Sequence, residues 1–280
     1  LRCVSNAIEA PEDTPSNPVP GTELHLLPLE KGSGNENHPG PIHVAFPVLH
    51  GPYGEDGTVQ GLLELAGIPY VGAGVMASAV GMDKEKMKAL FAHRGLSLVK
   101  YITFLRRTWE ADQDKIVKKI EAEIGYPAFA KPCNLGSSVG ISKAGDRRQL
   151  REAIDLACRY DRKVIVEEGL DCREVECSVL GNDEPQVSLA GEIVPGREFY
   201  DYEAKYTEGL ADIIIPAPID EALMNRAGKI ALQAFKAIDC CGMARVDLFL
   251  DKKSNLLYLN EINTIPGFTA ISMYPRMWEA

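Results

Sequence analysis

Apolar and polar positions alternate along several stretches of the chain, and this alternation predicts strands. In residues 257–263, which read LYLNEIN, Leu257 and Leu259 are separated by a polar position, as is typical of a strand with one buried face. Continued two residues at a time, the same face presents Glu261 and Asn263. A carboxylate beside a core needs a cation or a hydrogen-bond partner, so this strand is a candidate functional segment.

The order of the predicted elements divides the chain into three units. Residues 10–41 are rich in Pro, Gly, Asn and Ser and are predicted to be mostly loop. Strand, helix and strand then follow at short intervals, so we expect residues 1–76 to form a small α/β domain. Two α+β units are expected after it, over residues 77–168 and 169–280. The predicted fold class is therefore α/β combined with α+β.

Helical periodicity and capping residues mark the longer helices. One helix is predicted over residues 77–93, and another over residues 112–124 that stops at Gly125, a C-cap signal. A third is predicted over residues 220–238. The segment from 242 to 263 reads as two strands joined by the turn DKKSN, which predicts a hairpin.

Composition narrows the classes of function. The chain has 280 residues, of which 45% are hydrophobic and 25% charged, which is ordinary for a globular protein. The formal net charge of -10 argues against a nucleic-acid-binding surface. No apolar run approaches the roughly 18 residues of a membrane span, and no leader is recognised. The seven cysteines form no C-x-x-C pair, which predicts reduced thiols in a cytoplasmic protein.

The final hairpin offers a candidate metal site. In ARVDLFLD the alternation puts Arg245, Asp247 and Phe249 on one face. Pairing with the following strand brings Asp247 within reach of Glu261 and Asn263. Two carboxylates and an amide oxygen suit Mg²⁺, because this ion prefers oxygen ligands and keeps substrate phosphates in its shell. An ion pair between Arg245 and Asp247 at a sheet edge explains the same residues about equally well.

The segment KPCNLGSSVGIS is a candidate phosphate-binding turn. Residues 136–138, Gly-Ser-Ser, lie between two predicted strands, and Lys131 ends the first of them. Backbone N–H groups in such a turn form an anion nest, and a lysine adds a point charge for phosphate. The spacing differs from a Walker A loop. Taken alone, the segment favours an ordinary glycine-serine hairpin.

Two further segments carry charged residues at positions that suit ligand contact. VIVEEGLDCREVE offers Glu167, Leu170 and Glu174 between two strands, where backbone and carboxylates could meet an adenine edge and ribose hydroxyls. HGPYGEDGT groups His50 and Glu55 among glycines before a helix, which suits a ligand at the helix N-terminus. A charged surface linker explains the first segment better on its own, and a capped turn explains the second nearly as well.

Five segments taken together favour ligand-binding roles over the simpler explanations of each segment alone. HGPYGEDGTVQG, MDKEKMK, KPCNLGSSVGIS, FYDYEAKY and ARVD…NEINTIPGFTAISMYP, in this order and spacing, resemble the D-alanine–D-alanine ligases of the ATP-grasp superfamily. The resemblance runs from about residue 42 to the end of the chain. It implies the ATP-grasp fold, in which two α+β units hold ATP between them, and this agrees with the second and third predicted units.

The resemblance also implies a role for each matching residue. Contacts with ATP are expected from Lys84, Lys131, Ser138, Glu167, Leu170, Glu174 and Lys205. Contacts with D-alanine are expected from His50, Glu55 and Ser272. Catalytic roles are expected for Arg245, Ser137, Tyr206 and Gly267. Two Mg²⁺ ions, with Mn²⁺ as a substitute, are expected on Asp247, Glu261 and Asn263.

The implied reaction joins two D-alanine molecules in two steps. The carboxylate of the first D-alanine takes the γ-phosphoryl group of ATP, and the amine of the second D-alanine then attacks the acyl phosphate. Closure of the loop that carries Tyr206 would keep water from this intermediate. The resemblance implies a cytoplasmic homodimer that supplies peptidoglycan synthesis and binds neither nucleic acid nor membrane.

Two other functions are weighed against this one. A D-alanine–D-lactate ligase is disfavoured by Tyr206, because ester-forming relatives tend to lack that tyrosine. A non-catalytic nucleotide-binding module is disfavoured by the intact Arg245, Asp247 and Glu261. It is favoured by the lack, before residue 42, of the family's glycine-rich turn and its glutamate. The family's last helix is not found by Ala280 either, so the chain is expected to be a fragment that binds Mg-ATP but ligates poorly.

Overall fold

Two antiparallel sheets form the framework of the structure, a computed structural model that describes residues 42–136, 139–195 and 211–280. The strands of the first sheet are β1 (Tyr101–Leu105), β2 (Ala128–Pro132), β3 (Ser142–Ala144) and β4 (Lys163–Glu168). They lie in the order β1-β4-β2-β3, and each neighbouring pair is antiparallel. This sheet brings Lys131 of β2 beside β4, which carries Glu167.

The second sheet is larger and is built on two long central strands. Its strands are β5 (Cys172–Gly181), β6 (Gln186–Val187), β7 (Gly191–Pro195), β8 (Ala211–Ile214), β9 (Gly242–Asp251) and β10 (Leu257–Asn263). The order is β10-β9-β5-β7-β8, with β6 paired to β5. These pairings are also antiparallel.

Helices connect and cover the sheets. Those in the first part of the chain are α1 (Thr58–Ala66), α2 (Val75–Met82), α3 (Lys84–His93), α4 (Arg106–Ala111) and α5 (Gln113–Glu123). The later ones are α6 (Arg147–Tyr160), α7 (Glu221–Ala237) and α8 (Met273–Glu279). None of the helices in the described part of the chain is long and apolar enough to cross a membrane.

Each sheet has its own apolar core. Trp109, Ile120 and Ile154 from helices α4, α5 and α6 pack with the apolar residues of the four-stranded sheet. The larger sheet forms a separate cluster with α7, and this cluster also buries Met87 and Phe91 of α3. Antiparallel sheets covered by helices in this manner make an α+β fold, so the predicted fold class is confirmed.

The helix predicted over residues 77–93 is two helices, and the single-helix prediction was wrong. Asp83 interrupts it with an extended backbone, φ -88° and ψ 101°, between α2 and α3. Its side chain accepts hydrogen bonds from the backbone N–H groups of Glu85 and Lys86 at 3.1 and 3.2 Å. Asp83 is therefore an N-cap, which satisfies N–H groups that a helix end leaves free.

Other predicted elements differ in extent. The strands expected near residues 42–49 and 68–72 reduce, in the described residues, to one parallel bridge between Ala45 and Tyr70. Such short segments form few hydrogen bonds with each other, so the pairing in the described residues does not extend beyond this bridge. The segment QVSLAGEIV, which the pattern of apolar positions predicts to be one strand, is split into β6 and β7, and α4 is not predicted. In contrast, the strand β9 has the predicted extent, and α7 is one residue shorter than predicted at each end.

Residues His43 to Ala280 form one compact unit. The domain boundaries proposed at residues 76 and 168 therefore stay predictions. The four-stranded sheet does end at Glu168, and the larger sheet begins at Cys172, so the second boundary falls between the two sheets.

Candidate active site

The β9–β10 hairpin carries a one-residue insertion that decides where its polar side chains point. Leu259 pairs with Leu248, and Glu261 pairs with the adjacent residue of β9, Asp247. Asn260 between them therefore has no pairing partner on β9. This is a β-bulge, which re-aims the side chains that follow it. Past the bulge, Ile262 joins Leu259 in the core.

Glu261 and Asn263 consequently lie on the face opposite the leucines, and the prediction of a shared face was wrong. Their partners across the hairpin are Asp247 and Arg245, respectively. The predicted proximity of Asp247 to Glu261 and Asn263 is confirmed. Simple alternation failed because it assumes two residues per repeat throughout, and the bulge adds one.

Arg245 is the centre of a hydrogen-bonded acidic cluster on this face. Its Nε and Nη2 atoms each donate to Asp247 at 2.8 Å, which is a bidentate pair. Its Nε also lies 3.0 Å from Glu176 Oε2, on the neighbouring strand β5. Burial alone would lower the pKa of Arg245, but Asp247 and Glu176 outweigh it and raise the pKa well above its usual range. The guanidinium is therefore permanently charged in a partly buried position.

The proposed metal ligands are close together but already engaged. Asn263 Nδ2 donates to Asp247 Oδ2 at 2.9 Å, so both oxygens of Asp247 accept hydrogen bonds. The ion pair of Arg245 with Asp247, the alternative explanation of these residues, is thus present. Within the described residues no group of three or more His, Cys, Asp or Glu side chains is arranged to hold a metal ion. The metal assignment stays a prediction.

A second ionic cluster lies where the four-stranded sheet meets α3. Glu167 of β4 is buried, and its two oxygens contact Lys131 Nζ at 2.5 Å and Lys88 Nζ at 2.8 Å. The side chain of Glu167 is 2% exposed and that of Lys88 is 1% exposed. Burial alone would raise the pKa of Glu167, but Lys131 and Lys88 outweigh it and lower the pKa to about 2. Glu167, Lys131 and Lys88 therefore form a buried, charged triad.

Lys84, at the first position of α3, contacts both the segment after β2 and Glu261 of β10. Its Nζ atom donates to the carbonyl of Leu135 at 2.9 Å and lies 3.4 Å from Glu261 Oε2. Its backbone N–H donates to the carbonyl of Cys133 at 2.9 Å. Lys84 thus holds the stem of the glycine-serine segment and faces a proposed metal ligand at the same time.

The stem of the glycine-serine segment is anchored at a second point. Asp161 Oδ2 accepts hydrogen bonds from the backbone N–H and the side-chain amide of Asn134, both at 2.9 Å. Ser137 and Ser138 themselves lie outside the described residues, as do Lys205 and Tyr206. Their predicted roles are therefore not tested.

The His50 loop contributes a titratable carboxyl near Arg245. Glu55 Oε2 accepts a hydrogen bond from the Gly51 N–H at 2.5 Å. Burial raises the pKa of Glu55 from its usual 4.5 to about 7, while Gly51 and Arg245 act in the opposite direction. The pKa of His50 is lowered by partial burial and by Arg245, whereas a hydrogen bond with the Ile265 backbone opposes the shift. Both residues are therefore in electrostatic reach of Arg245.

The remaining predicted contacts lie at the edges of the site. Ser272 Oγ accepts a hydrogen bond from the Thr269 N–H at 3.0 Å, and a Cβ on Gly267 would lie 2.8 Å from that Oγ. Gly267 and Ser272 are therefore packed together. Leu170 lies in the connection after β4, and Glu174 lies on β5 beside Phe249 of β9.

Sequence reasoning missed two residues that complete the clusters, Lys88 and Glu176. Lys88 follows Lys84 by one helical turn, a spacing that puts both side chains on one face, and this signal was available in MDKEKMK. Glu176 lies opposite Asp247 across β5 and β9. Only the strand order reveals this proximity, because 71 residues separate the two in the chain.

Comparisons with known proteins agree with the resemblance. The family model described as "D-ala D-ala ligase C-terminus" matches residues 90–280, and "D-ala D-ala ligase N-terminus" matches residues 7–73. The N-terminal match extends the likeness upstream of residue 42, where the sequence motifs had placed its start. Curated relatives named D-alanine–D-alanine ligase include those of Heliobacterium modesticaldum and Acetivibrio thermocellus. Their identities are 57% and 56%, over 86% and 90% of this chain.

Solved structures agree as well. The VanG D-Ala:D-Ser ligase of Enterococcus faecalis is 45% identical with a TM-score of 0.77, covering 85% of this chain and 68% of its own. The D-alanine–D-alanine ligase of Coxiella burnetii is 39% identical with a TM-score of 0.75, covering 85% and 62%. The chain spans 66% of the length of the first two curated relatives, just under two thirds. On the family models, the curated relatives and the shared architecture, the chain belongs to the D-alanine–D-alanine ligase family, with the ATP-grasp fold.

Proposed function

We propose that the chain catalyses the ATP-dependent ligation of two D-alanine molecules to D-alanyl-D-alanine through an acyl phosphate. The observation that carries this proposal is the convergence of Arg245, Asp247 and Glu261 with Lys84 at the bulged end of the β9–β10 hairpin. A carboxylate-phosphorylating enzyme needs cations and oxygen ligands together at the point of phosphoryl transfer, because negative charge concentrates there.

Lysines and β4 form the proposed nucleotide site. Lys131 and Lys84 bind the ATP phosphates, and Ser138 and Lys205 close over them. The segment after β4 contacts the base, with Leu170 against the adenine and Glu174 at the ribose hydroxyls. Glu167 holds Lys131 at 2.5 Å, which fixes the position of that ammonium. A lysine fixed in this way loses little freedom when phosphate binds.

The donor set at the hairpin fits magnesium. Asp247 and Glu261 face each other on neighbouring strands, and Asn263 is hydrogen-bonded to Asp247. These three residues would hold two Mg²⁺ ions, with Mn²⁺ as a substitute, since carboxylate and amide oxygens suit either ion. When bound, the ions supply neutralisation of phosphate charge during transfer.

The chemistry of the two steps assigns Arg245 and Gly267 their roles. In the first step a carboxylate oxygen of D-alanine attacks the γ-phosphorus and ADP leaves, while Arg245 and Lys131 stabilise the charge on the transferring group. In the second step the amine of the other D-alanine attacks the acyl carbon, and phosphate leaves. Arg245 and the Gly267 backbone N–H stabilise the tetrahedral oxyanion between these events. Closure of the loop that carries Tyr206 would exclude water from the acyl phosphate, and Ser137 is assigned a catalytic role in the same step.

The substrate side of the site is formed by the His50 loop and the Ser272 turn. His50 and Glu55 lie near Arg245 and so near the reacting carboxylate, and Ser272 contacts the second D-alanine. The product would be a peptidoglycan precursor, and the proposed form of the enzyme is a cytoplasmic homodimer. Both the location and the dimer are parts of this proposal.

One comparison favours a second candidate for the acceptor. VanG, which is 45% identical to this chain, is a D-Ala:D-Ser ligase. D-Serine differs from D-alanine by one hydroxyl, and an apolar pocket rejects such an addition only modestly. D-Lactate would require an ester-forming site, which Tyr206 disfavours. A nucleotide-binding module without turnover is the remaining alternative.

Phosphate release from ATP separates these candidates. The chain is incubated with Mg-ATP and D-alanine, and then with D-serine or D-lactate as second substrate beside limiting D-alanine. We expect slow release that depends on D-alanine, with D-alanyl-D-alanine as the main product by mass spectrometry. ATP binding without release would favour the module, and release independent of D-alanine would contradict the proposed substrate.

A further inference from the structure

Lys88 is a buried lysine that the proposed function does not use. It lies one turn after Lys84 on α3, and its side chain is 1% exposed. Removing an ammonium group from water costs several kcal/mol unless its hydrogen bonds are replaced. The contacts of Lys88 therefore indicate what its position is for.

The first contact is with Glu167. Lys88 Nζ lies 2.8 Å from one oxygen of Glu167, and Lys131 Nζ lies 2.5 Å from the other. Both oxygens of one carboxylate are thereby occupied by cations from different elements, α3 and β2. Glu167 cannot rotate without breaking one of these contacts, so the direction of Lys131 depends on Lys88.

The second contact is with the β-bulge. Lys88 Nζ donates to the backbone carbonyl of Asn260 at 3.1 Å. Asn260 is the bulged residue immediately before Glu261, and the bulge lets Glu261 lie opposite Asp247. One ammonium group therefore ties the peptide that aims a proposed metal ligand to the carboxylate that aims a proposed phosphate ligand.

Charge neutralisation alone does not account for Lys88. Glu167 already has Lys131 at 2.5 Å, and a second buried lysine leaves the triad with an excess positive charge. The burial of Lys88 lowers its pKa, which means that the surroundings oppose its charge more than Glu167 supports it. A lysine buried at such a cost is better explained by its two contacts, the ion pair with Glu167 and the hydrogen bond to Asn260, which join the two sheets.

We infer that Lys88 is a positioning residue that sets the distance between the phosphate-binding Lys131 and the metal-binding Glu261. It does so by joining Glu167 of the four-stranded sheet to the Asn260 bulge of the larger sheet. This inference rests on the proposed function, because it gives Lys131 and Glu261 their ligands. Lys88 itself touches neither substrate nor metal.

The test is equilibrium binding of a fluorescent ATP analogue to Lys88→Met, with and without Mg²⁺. Methionine keeps the length of the side chain and removes its charge and donors. We expect the dissociation constant with Mg²⁺ to rise about tenfold or more, as for other residues that orient ligands from behind. We also expect the tightening that Mg²⁺ brings in the wild type to shrink, since Glu261 is no longer aimed. A merely structural role would leave this Mg²⁺ dependence unchanged.

Lys163→Met is the matched control. Lys163 lies on the same strand as Glu167 and is also buried, with 8% of its side chain exposed, but its ammonium pairs with Asp83 and Glu85 at 2.6 and 2.7 Å. We expect it to lower the melting temperature by a similar amount while the Mg²⁺ dependence of nucleotide binding is kept. If Lys88→Met does not fold, Lys88→Gln serves in its place, because its amide is polar but uncharged, and its side chain is one bond too short to reach Glu167 and Asn260 together.

Two results are kept apart by this design. If the wild type does not bind the nucleotide, the proposed function fails. If the wild type binds and Lys88→Met, or Lys88→Gln in its place, binds equally tightly with the same Mg²⁺ dependence, the role of Lys88 is overturned. An equal loss of Mg²⁺ dependence in Lys163→Met also overturns it, since any buried lysine would then have the effect.

Discussion

Glu261 lies directly opposite Asp247 across the β9–β10 hairpin, and this pairing exists because Asn260 is an extra residue in β10. If the same sequence ran through β10 as a regular strand without a bulge, the residue opposite Asp247 would be Asn260, and Glu261 would face the core. The polar face of the hairpin is therefore a consequence of residue count as much as of residue type. Register in a half-buried strand is strongly specified for this reason.

Deletion of Asn260 is expected to leave Glu261 opposite Asp247, because Glu261 then follows Leu259 directly in a regular strand. The deletion removes the backbone carbonyl that accepts a hydrogen bond from the buried ammonium group of Lys88. A buried donor that loses its acceptor costs about 1–3 kcal/mol, so we expect a loss of that size in the free energy of unfolding. Urea denaturation followed by circular dichroism measures it.

Asn260→Ala is the control for this deletion. It keeps the number of residues and the backbone carbonyl that Lys88 binds, so stability should change by less than about 1 kcal/mol. A deletion variant as stable as Asn260→Ala would show that the hydrogen bond from Lys88 to the bulge carbonyl does not stabilise the fold.

Glu261→Gln is expected to abolish ATP-dependent turnover while the fold is kept. The amide has nearly the same shape as the carboxylate but lacks the charge that holds Mg²⁺ near phosphate. We expect D-alanine-dependent phosphate release to fall by about 100-fold or more. The melting temperature should stay close to that of the wild type. A fully active variant would leave the sheet-edge ion pair of Arg245 and Asp247 as the better explanation of the cluster.

Arg245→Met is expected to destabilise the fold as well as the reaction. Arg245 is the cation shared by Asp247 and Glu176, and the side chain of Glu176 is only 6% exposed. Removing one partner of a buried ion pair costs about 3–5 kcal/mol, because the other charge stays behind. Urea unfolding measures the loss. Arg245→Lys retains a charge without the bidentate geometry, so its loss should be smaller, and equal losses would mean that geometry does not matter.

Glu55 gives the stability of the chain a pH dependence of known sign. Its pKa in the folded protein is raised from 4.5 to about 7, so the folded state holds a proton that the unfolded state has released. Stability should therefore fall as pH rises from about 5 to about 7, by roughly 1–3 kcal/mol. Glu55→Gln, whose side-chain oxygen still accepts from the Gly51 N–H, should lack this decline. Parallel pH profiles in the two proteins would contradict the assignment.

The sequence predicts that β9 and β10 of the candidate site pair with each other. It does not predict which face of the sheet the last side chains of β10 occupy. Alternation in ARVDLFLD places Arg245 and Asp247 on one face, and the burial of Val246 and Leu248 agrees. Alternation fails in β10 because it carries no information about an inserted residue. Asp83 is a similar case, since its extended backbone breaks a helix through a side-chain cap that periodicity alone does not reveal.

The ionic clusters depend on contacts between distant parts of the chain. Glu167 is predicted as a ligand contact, but its closest partners, Lys88 and Lys131, come from a helix and a strand packed beside it. Sequence spacing indicates that Lys84 and Lys88 share a helical face. It does not indicate which carboxylate that face meets, because tertiary packing decides this.

The helix α3 has one apolar and one charged face, and this difference determines which sheet it would follow if the two sheets separated. Met87 and Phe91 belong to the core of the larger sheet, while Lys84 and Lys88 contact the four-stranded sheet and its loop through polar bonds. Water can replace the partners of a charged group, but it cannot replace apolar packing. If the two sheets separate to release product, α3 travels with the larger one, and the rate of that separation should increase with ionic strength.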